Sequence, residues 1–509
     1  MKKNILIIIA GIMVFMSSCS KDFLNVNEKN PNSPSVVDPK LVLPAAENAI
    51  AYTMNNPRRW EFIYLWHGLW SISAGYSQPQ VLTQYKLVNS SYQNAFIEFY
   101  LAGKNLDAIE VQSNTPQLIY YKAVAKILKA YIFQNLVDVW GDVPYTEAFQ
   151  TASGNLKPKY DKQKDIYEDL IVQLDAAMNL IQTANPVEAS ALSATSDIIY
   201  HGDMAKWLKF ANTLKLRILV HQSAMDGRDT YIKGAIATTS AIGYIGPGEG
   251  AMSNPPYVVS AGKMNPFYET FYNNAGTSQS DGITYYFAGK DNVEFLKATT
   301  DPRIGKFWQP YSASSYDGNI FGLSQDELTP QNKTSKLGYI KDDAGTMIGT
   351  PTRAAAILTD FEALFIQAEA AQRGFIAGDA QAFYESAVSR SFVYCGLSTA
   401  AAGAYVSQAT NKANFTAATD KIELIITQKW AALNGTAPVE IWTDYRRTGF
   451  PYSMISSTGL HFSLDPARAK DYPPVRLLYP QDEINVNSEN VLAVGTIDPW
   501  TSKIFWQKR

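Results

Sequence analysis

The sequence predicts a mainly α-helical protein, a tetratricopeptide-like scaffold of helix pairs that carries a loop-rich, irregular face. Three observations lead there. Apolar residues recur at three- and four-residue steps through many segments, the spacing that turns one helix face toward a core. Residues 361–394, FEALFIQAEAAQRGFIAGDAQAFYESAVSRSFVY, hold two amphipathic helices joined at Gly374 to Gly378. Their length, with small Ala368, Ala371 and Ala387 opposite bulky Tyr384 and Phe392, resembles a tetratricopeptide hairpin. Between Gly243 and Gly349 the periodicity dissolves into Gly, Pro, Asn and Tyr with only short strand-like runs. An irregular stretch of that length inside a compact body usually carries function.

The chain opens with Lys2 and Lys3, an apolar run from Ile5 to Met16 broken only by Gly11, then Ser17, Ser18 and Cys19. Such a run is too short for a membrane span, which needs about twenty apolar residues, and reads as a secretion signal over residues 1–18. A cysteine directly after small residues resembles the bacterial lipobox, although Met16 stands where Leu is usual, so Cys19 is the expected lipidation site. Ser20-Lys21-Asp22 looks like the signal that exports lipoproteins to the outer face in Bacteroidetes-type bacteria. Residues 19–40, rich in Asn and Pro beyond Asp22, read as an extended tether. The rest, 41–509, lacks any linker or charge block and is expected to form a single domain, with the loop-rich insertion at 243–349.

Helical periodicity predicts helices from Leu41 to Met54, Trp60 to Ser73, Tyr92 to Val111 and Gln117 to Val137, the last stopped by Trp140-Gly141-Asp142-Val143-Pro144. Further helices are predicted from Asp165 to Ile181, Lys206 to Gln222, Arg353 to Arg373, Ala380 to Tyr394 and Asp420 to Leu433. Helix pairs at 92–137 and 165–222 read as further copies of the hairpin. Two cysteines in 509 residues make no disulfide framework, and Cys395 reads as a small buried apolar residue. The signal holds two of the 44 basic residues, leaving 42 against 47 acidic, or −5. That balance has no electrostatic footprint for nucleic acid.

A set of motifs, in order along nearly the whole mature chain, resembles the SusD/RagB family of nutrient-binding outer-membrane lipoproteins. It begins with Asp22-Phe23-Leu24, Asn27 and Asn30-Pro31-Asn32, followed by VDVWGDVPYTEA at 137–148 and Pro158-Lys159-Tyr160-Asp161. It continues through Asp197, Tyr200-His201-Gly202-Asp203, KWLKFANTLKLRI at 206–218 and Ala368-Glu369-Ala370. Gln428-Lys429-Trp430, Glu440-Ile441-Trp442, Tyr445-Arg446-Arg447, Arg476 and Tyr479-Pro480 complete it. The resemblance implies about four tetratricopeptide-like units holding a ligand-binding face. It also implies docking on a SusC-like TonB-dependent transporter, to which captured glycan is delivered, with the protein held to the outer membrane by its lipid and facing the cell exterior. Trp140, Gly141 and Pro144 are expected to fix a turn and fill a cavity. Arg446 and Arg447, near Asp444 and Glu440, are expected to pair as surface or half-buried ions.

Ten Trp, thirty Tyr and twenty-three Phe make up 12% of the chain, and the excess of Tyr over Phe favours surfaces that stack on ligands. Sugar rings pack C–H patches on aromatic faces while their hydroxyls need amide or carboxylate partners. Two stretches combine these groups: Trp60 to Tyr85, with Trp66, Trp70, Tyr76, Gln78 and Gln84, and Asn265 to Tyr316, with Tyr268, Tyr272, Asn273, Asn274, Tyr285, Tyr286, Trp308, Tyr311 and Tyr316. The resemblance implies a glycan platform in about these places. Trp66 and Trp70 lie in a helical pattern and could equally face the core, whereas Tyr285, Tyr286 and Trp308 are expected to be exposed. Catalysis is not expected: no motif pairs carboxylates as a glycoside hydrolase needs, and no G-x-S-x-G, P-loop or dinucleotide glycine pattern occurs. His67, His201, His221 and His461 lack metal-ligand spacing, so neither metal nor cofactor is expected. A relative that captures peptide, or a lipid-anchored glycoside hydrolase, is the alternative. Mass spectrometry of the mature protein is expected to find an acylated Cys19 at its N-terminus, and Cys19→Ala should abolish the acylation.

Overall fold

A computed structural model of the chain describes residues 38–279, 281–338 and 345–508. The signal, Cys19 and residues 19–37 of the tether lie outside the described residues.

Helix α1 (Pro39–Asn55) begins two residues ahead of its predicted start, because Asp38 accepts the Lys40 amide at 3.0 Å and Pro39 is preset for the first turn. Asn56 and Pro57 repeat the device for α2 (Pro57–Trp66). The pattern predicted as one helix from Trp60 to Ser73 ends at Trp66, and Trp70–Ile72 forms strand β1 instead. Helices α3 (Asn94–Gln112), α4 (Ile119–Trp140), α5 (Gln163–Thr183), α6 (Met204–His221) and α7 (Asp229–Ala237) follow. Beyond them come α8 (Lys290–Ala298), α9 (Asp360–Gln372), α10 (Ala380–Tyr394), α11 (Thr399–Val406), α12 (Lys421–Ala432) and α13 (Pro438–Thr448). The fold is mainly α and tetratricopeptide-like: α3 packs on α4, α4 on α5, α5 on α6 and α9 on α10, each joined to its neighbour in sequence. Helix α6 also meets α9, and α13 returns to pack on α2, so the array closes on itself. Apolar residues from Leu43 to Trp506 form one continuous buried cluster. Among the described residues no helix is long and apolar enough to cross a membrane.

The segment predicted as helix from Arg353 divides in the same way as α2 and β1. Ala355–Leu358 is strand β8, paired with β4 (Ala251–Ser253), and the helix waits for Thr359, whose hydroxyl caps the Glu362 amide at 3.2 Å. The stretch expected to be irregular contains α8 and most of a four-stranded sheet, ordered β1, β5 (Tyr286–Ala288), β7 (Lys336–Leu337), β6 (Trp308–Gln309). A two-stranded ribbon, β2 (Val143–Pro144) with β3 (Tyr160–Asp161), follows the end of α4. There Trp140 is buried in the core, and Gly141 takes φ +76°, where an added Cβ would stand 2.8 Å from Arg476 Nη1.

Where α4, α6, α9, α12 and α13 converge, the core is ionic. Arg217 of α6 donates to Glu362 of α9 at 2.8 Å and to Gln134 of α4 at 3.0 Å. Arg447 of α13 grips both oxygens of Glu369 at 2.6 and 2.5 Å and Asp444 at 2.6 Å. Lys429 of α12 reaches Glu440 at 2.7 Å and Asp444 at 3.0 Å, and Glu440 also lies 3.1 Å from His221 Nε2. The arginines expected at or near the surface are thus buried. Arg446, moreover, makes no ion pair within 4.0 Å among the described residues. It lies over the Trp442 and Trp506 rings and donates to the carbonyls of Asp138 and Val475 at 2.6 and 2.8 Å.

Burial pushes the Glu369 carboxyl up, but Arg447 and Arg373 outweigh that, and it is held down to about 2. Its contribution to stability is therefore complete above the ordinary value of 4.5 and fades as pH falls toward 2. Arg447→Met, which takes one of two cationic partners from each of the buried carboxylates Glu369 and Asp444, should cost about 3–5 kcal/mol in urea unfolding at neutral pH. The deficit relative to wild type should shrink as pH falls toward 2 and Glu369 protonates in both proteins.

Candidate functional site

The two aromatic stretches do meet. Antiparallel pairing of β1 with β5 sets Trp70 opposite Ala288 and Ile72 opposite Tyr286. Most of the rings, however, turn inward: Trp66, Trp70, Tyr268, Tyr272, Tyr286 and Trp308 are all buried. Trp70 stacks on Tyr64 with centroids 4.3 Å apart, and its Nε1–H donates to Asn434 at 2.8 Å. The Trp308 Nε1–H donates to Asn292 at 2.8 Å, and the Tyr286 hydroxyl donates to the half-buried carboxyl of Glu61. The exposure expected of Tyr286 and Trp308 is therefore reversed. Their Gly-rich surroundings mark backbone crossing backbone rather than an open loop. A Cβ at Gly289 would stand 2.2 Å from the Gly68 carbonyl oxygen, and one at Gly338 would stand 2.3 Å from that of Lys306.

Tyr76, Asn273, Tyr285 and Tyr311 remain toward solvent. Tyr76 and Tyr285 meet edge to face at 5.2 Å, and the Tyr76 hydroxyl lies 2.7 Å from Thr284 Oγ1. The Arg58 guanidinium sits 5.9 Å from the Tyr285 ring centre and pairs with Asp281 at 2.7 Å. This half-buried patch joins aromatic faces to polar groups. Asn273 instead spends its carbonyl oxygen on the Ala275 and Thr277 amides, shaping its own turn. Tyr311 follows β6, the outer strand on the side of the sheet away from β1.

Beside the sheet lies a cleft of ≈ 220 Å³, walled by Trp66 and Trp70 and furnished with Asp291, Asn319, Ser453 and His461. Asp291, in the first turn of α8, accepts the Ser453 hydroxyl at 2.8 Å and the Met454 amide at 2.5 Å on Oδ1. Its Oδ2 stands 3.3 Å from His461 Nδ1. Burial pushes the Asp291 carboxyl up, but His461 and the donors from Ser453 and Met454 pull harder, holding it below the ordinary carboxylate range. His461 Nε2 makes no hydrogen bond, and Asn319, which donates its amide to the Ile72 carbonyl at 3.3 Å, leaves its own oxygen unused. Behind His461 lies His67, its ring 6.1 Å away, which burial and then His461 and Arg446 hold well below the ordinary imidazole range. Buried polar atoms without partners are costly and ask for a ligand or water to satisfy them.

This set can accept and donate hydrogen bonds to clustered hydroxyls. Asp291 is the single carboxylate in the lining among the described residues, and no serine hydroxyl among them reaches His461 to serve as a nucleophile. Among the described residues no group of three or more His, Cys, Asp or Glu is placed to hold a metal ion.

The family profile described as SusD-like, "Starch-binding associating with outer membrane", matches residues 31–480. The chain belongs to the SusD-like family. Solved structures agree. A chitin-binding protein is 25% identical, with a TM-score of 0.73 over 93% of this chain and 100% of its own. A SusD homolog from Bacteroides uniformis ATCC 8492 is 22% identical, with a TM-score of 0.70 over 92% and 99%. Another, from Bacteroides fragilis NCTC 9343, is 21% identical, with a TM-score of 0.70 over 93% and 100%. A search of curated protein sequences gave no match.

In this SusD-like chain the sequence reasoning missed Asp291, Asn319, Ser453 and His461. Asp291 reads as an ordinary acidic first-turn residue. The segment 450–475, however, is as irregular and as rich in Ser, Pro and Gly as the stretch at 243–349, and the same criterion applied there points to Ser453 and His461. Because Trp70 is core and Tyr311 is surface, Trp70→Ala should cost about 3–5 kcal/mol. Tyr311→Ala should stay within about 0.5 kcal/mol, both read from chemical unfolding.

Proposed function

We propose that this protein binds an oligo- or polysaccharide at the outer surface of the outer membrane, held there by lipid on Cys19, and passes it without chemical change to a SusC-like TonB-dependent transporter. The observation that carries the reading is the cleft of Asp291, Asn319 and His461. Its unused Asn319 oxygen and His461 Nε2 suit the hydroxyls of a sugar ring. Tyr76 and Tyr285 add a half-exposed aromatic pair beyond the end of β1. The family description and the chitin-binding relative at 25% identity support a glycan as the cargo. A single carboxylate among the described residues of the cleft supports binding without hydrolysis.

Calorimetric titration with starch- and chitin-derived oligosaccharides tests this. Asp291→Asn or His461→Ala should weaken binding roughly 10- to 100-fold, the worth of a hydrogen bond to a charged group. Tyr285→Ala should weaken it only a few-fold, as loss of one aromatic contact does. Binding to no glycan, with capture of peptides instead, would overturn the sugar assignment. New reducing ends after incubation with polysaccharide would overturn the assignment as a non-catalytic binder.

A further inference from the structure

Trp442, Tyr445 and Arg446 stand three and four residues apart on one face of α13, and all three line a hollow of ≈ 290 Å³. Its other walls are Tyr472, Pro473 and Pro474, at the end of the irregular segment, and Trp500 near the C-terminus. Hydrogen bonds tie this frame together. The Trp442 Nε1–H donates to the Pro474 carbonyl at 3.2 Å, and the Val475 amide donates to the Pro499 carbonyl at 2.7 Å. Asp498 accepts the Trp500 and Thr501 amides at 2.8 and 2.9 Å, which fixes the turn that carries Trp500.

The charge in this aromatic lining is all of one sign. Arg446 and Lys503 reach the hollow, and among the described residues no carboxylate does. Arg446 is 2% exposed and gives four of its five N–H groups to neutral acceptors, the carbonyls of Asp138, Trp442 and Val475 and the Thr443 hydroxyl. These satisfy its donors but not its charge. Burial, with Arg476 adding to it, holds the guanidinium down to about 9 against the pull of the Asp138 carboxylate, so at neutral pH it remains a cation short of a counter-ion. Trp500 adds a buried Nε1–H that has no acceptor among the described residues. A buried cation without a partner is costly, and an anion brought to it is correspondingly favoured.

Size narrows the ligand further. A dry apolar cavity of about 150 Å³ takes one benzene ring. At ≈ 290 Å³ the hollow admits a two-ring aromatic with a short acidic arm. We propose that it binds a small aromatic carboxylate, with the rings packed among Trp442, Tyr472 and Trp500 and the charge set against Arg446 and Lys503. The site shares only Leu460 with the lining of the Asp291 cleft among the described residues, and it does not depend on the glycan reading. The cleft offers an acid to hydroxyls, whereas this hollow offers cations to an acid.

Indole-3-acetate, titrated calorimetrically against the full mature chain, is the probe, with its neutral amide and the amine tryptamine for comparison. The acid should bind, the amide roughly 10- to 100-fold more weakly and tryptamine more weakly still, because the charge-assisted contact is lost and then reversed. Arg446 stays intact, since it also holds the carbonyls of Asp138 and Val475. Tyr472→Ala and Lys503→Glu are suitable variants because both side chains are exposed, and unchanged circular dichroism confirms their fold. Lys503→Glu should weaken the acid about tenfold and leave the amide as it was. Tyr472→Ala should weaken acid and amide alike, about three- to tenfold. Asp291→Asn should change neither. Equal affinity for acid and amide, or acid binding untouched by both variants, would overturn the site. So would failure of the acid to bind, or its loss in Asp291→Asn alone.

Discussion

Seven charged side chains are sealed between the helices, and their need to neutralise one another constrains the rest of the molecule. Arg217, Glu362, Glu369, Lys429, Glu440, Asp444 and Arg447 are supplied by α6, α9, α12 and α13. Such groups gain little net stability over a well-packed apolar core, because desolvation consumes most of the Coulombic return. What they impose is register. A helix that slid by one turn would strand a buried carboxylate, whereas leucine faces tolerate such slips far better.

Helix α13 converts that register into a site. On one side Glu440, Asp444 and Arg447 lock it to α9 and α12. On another, Trp442 packs against Phe62 and Trp66 of α2, while Arg446 lies over Trp442 and Trp506 and holds the carbonyls of Asp138 and Val475. The irregular segment from 450 to 475 is thereby pinned at both ends, by the helix it leaves and by the carbonyl at which it finishes. Between these points Ser453 and the Met454 amide tie down Asp291, and His461 is carried to within 3.3 Å of the same carboxylate. Loops can carry function when a rigid scaffold aims them, and here the aim comes from buried charge.

The legible part of the fold was helix existence. The segments at 92–111, 117–137, 206–222 and 380–394 are helices within a few residues of their predicted ends, because long amphipathic repeats have one physical interpretation. Short apolar runs do not, and Trp70–Ile72 and Ala355–Leu358 read as helix until a partner strand claims them. The site was legible in its ingredients more than in its arrangement. Stretches 60–85 and 265–316 do come together, yet the sequence cannot say on which face of a short strand a ring will emerge. Glycine and asparagine near Tyr286 and Trp308 look like an exposed loop, but they serve close backbone crossings around buried rings.

The sequence by itself determined the helical class and the membership of the SusD-like family, since periodicity and ordered motifs are local properties read along the chain. Tertiary structure decided which aromatic rings face solvent, that Arg446 and Arg447 are interior, and that Asp291, Asn319, Ser453 and His461 share one cleft. Those four residues lie up to 170 positions apart. Nothing in local spacing encodes their meeting, which follows only from how α8, the sheet and the segment beyond α13 pack around the buried charges.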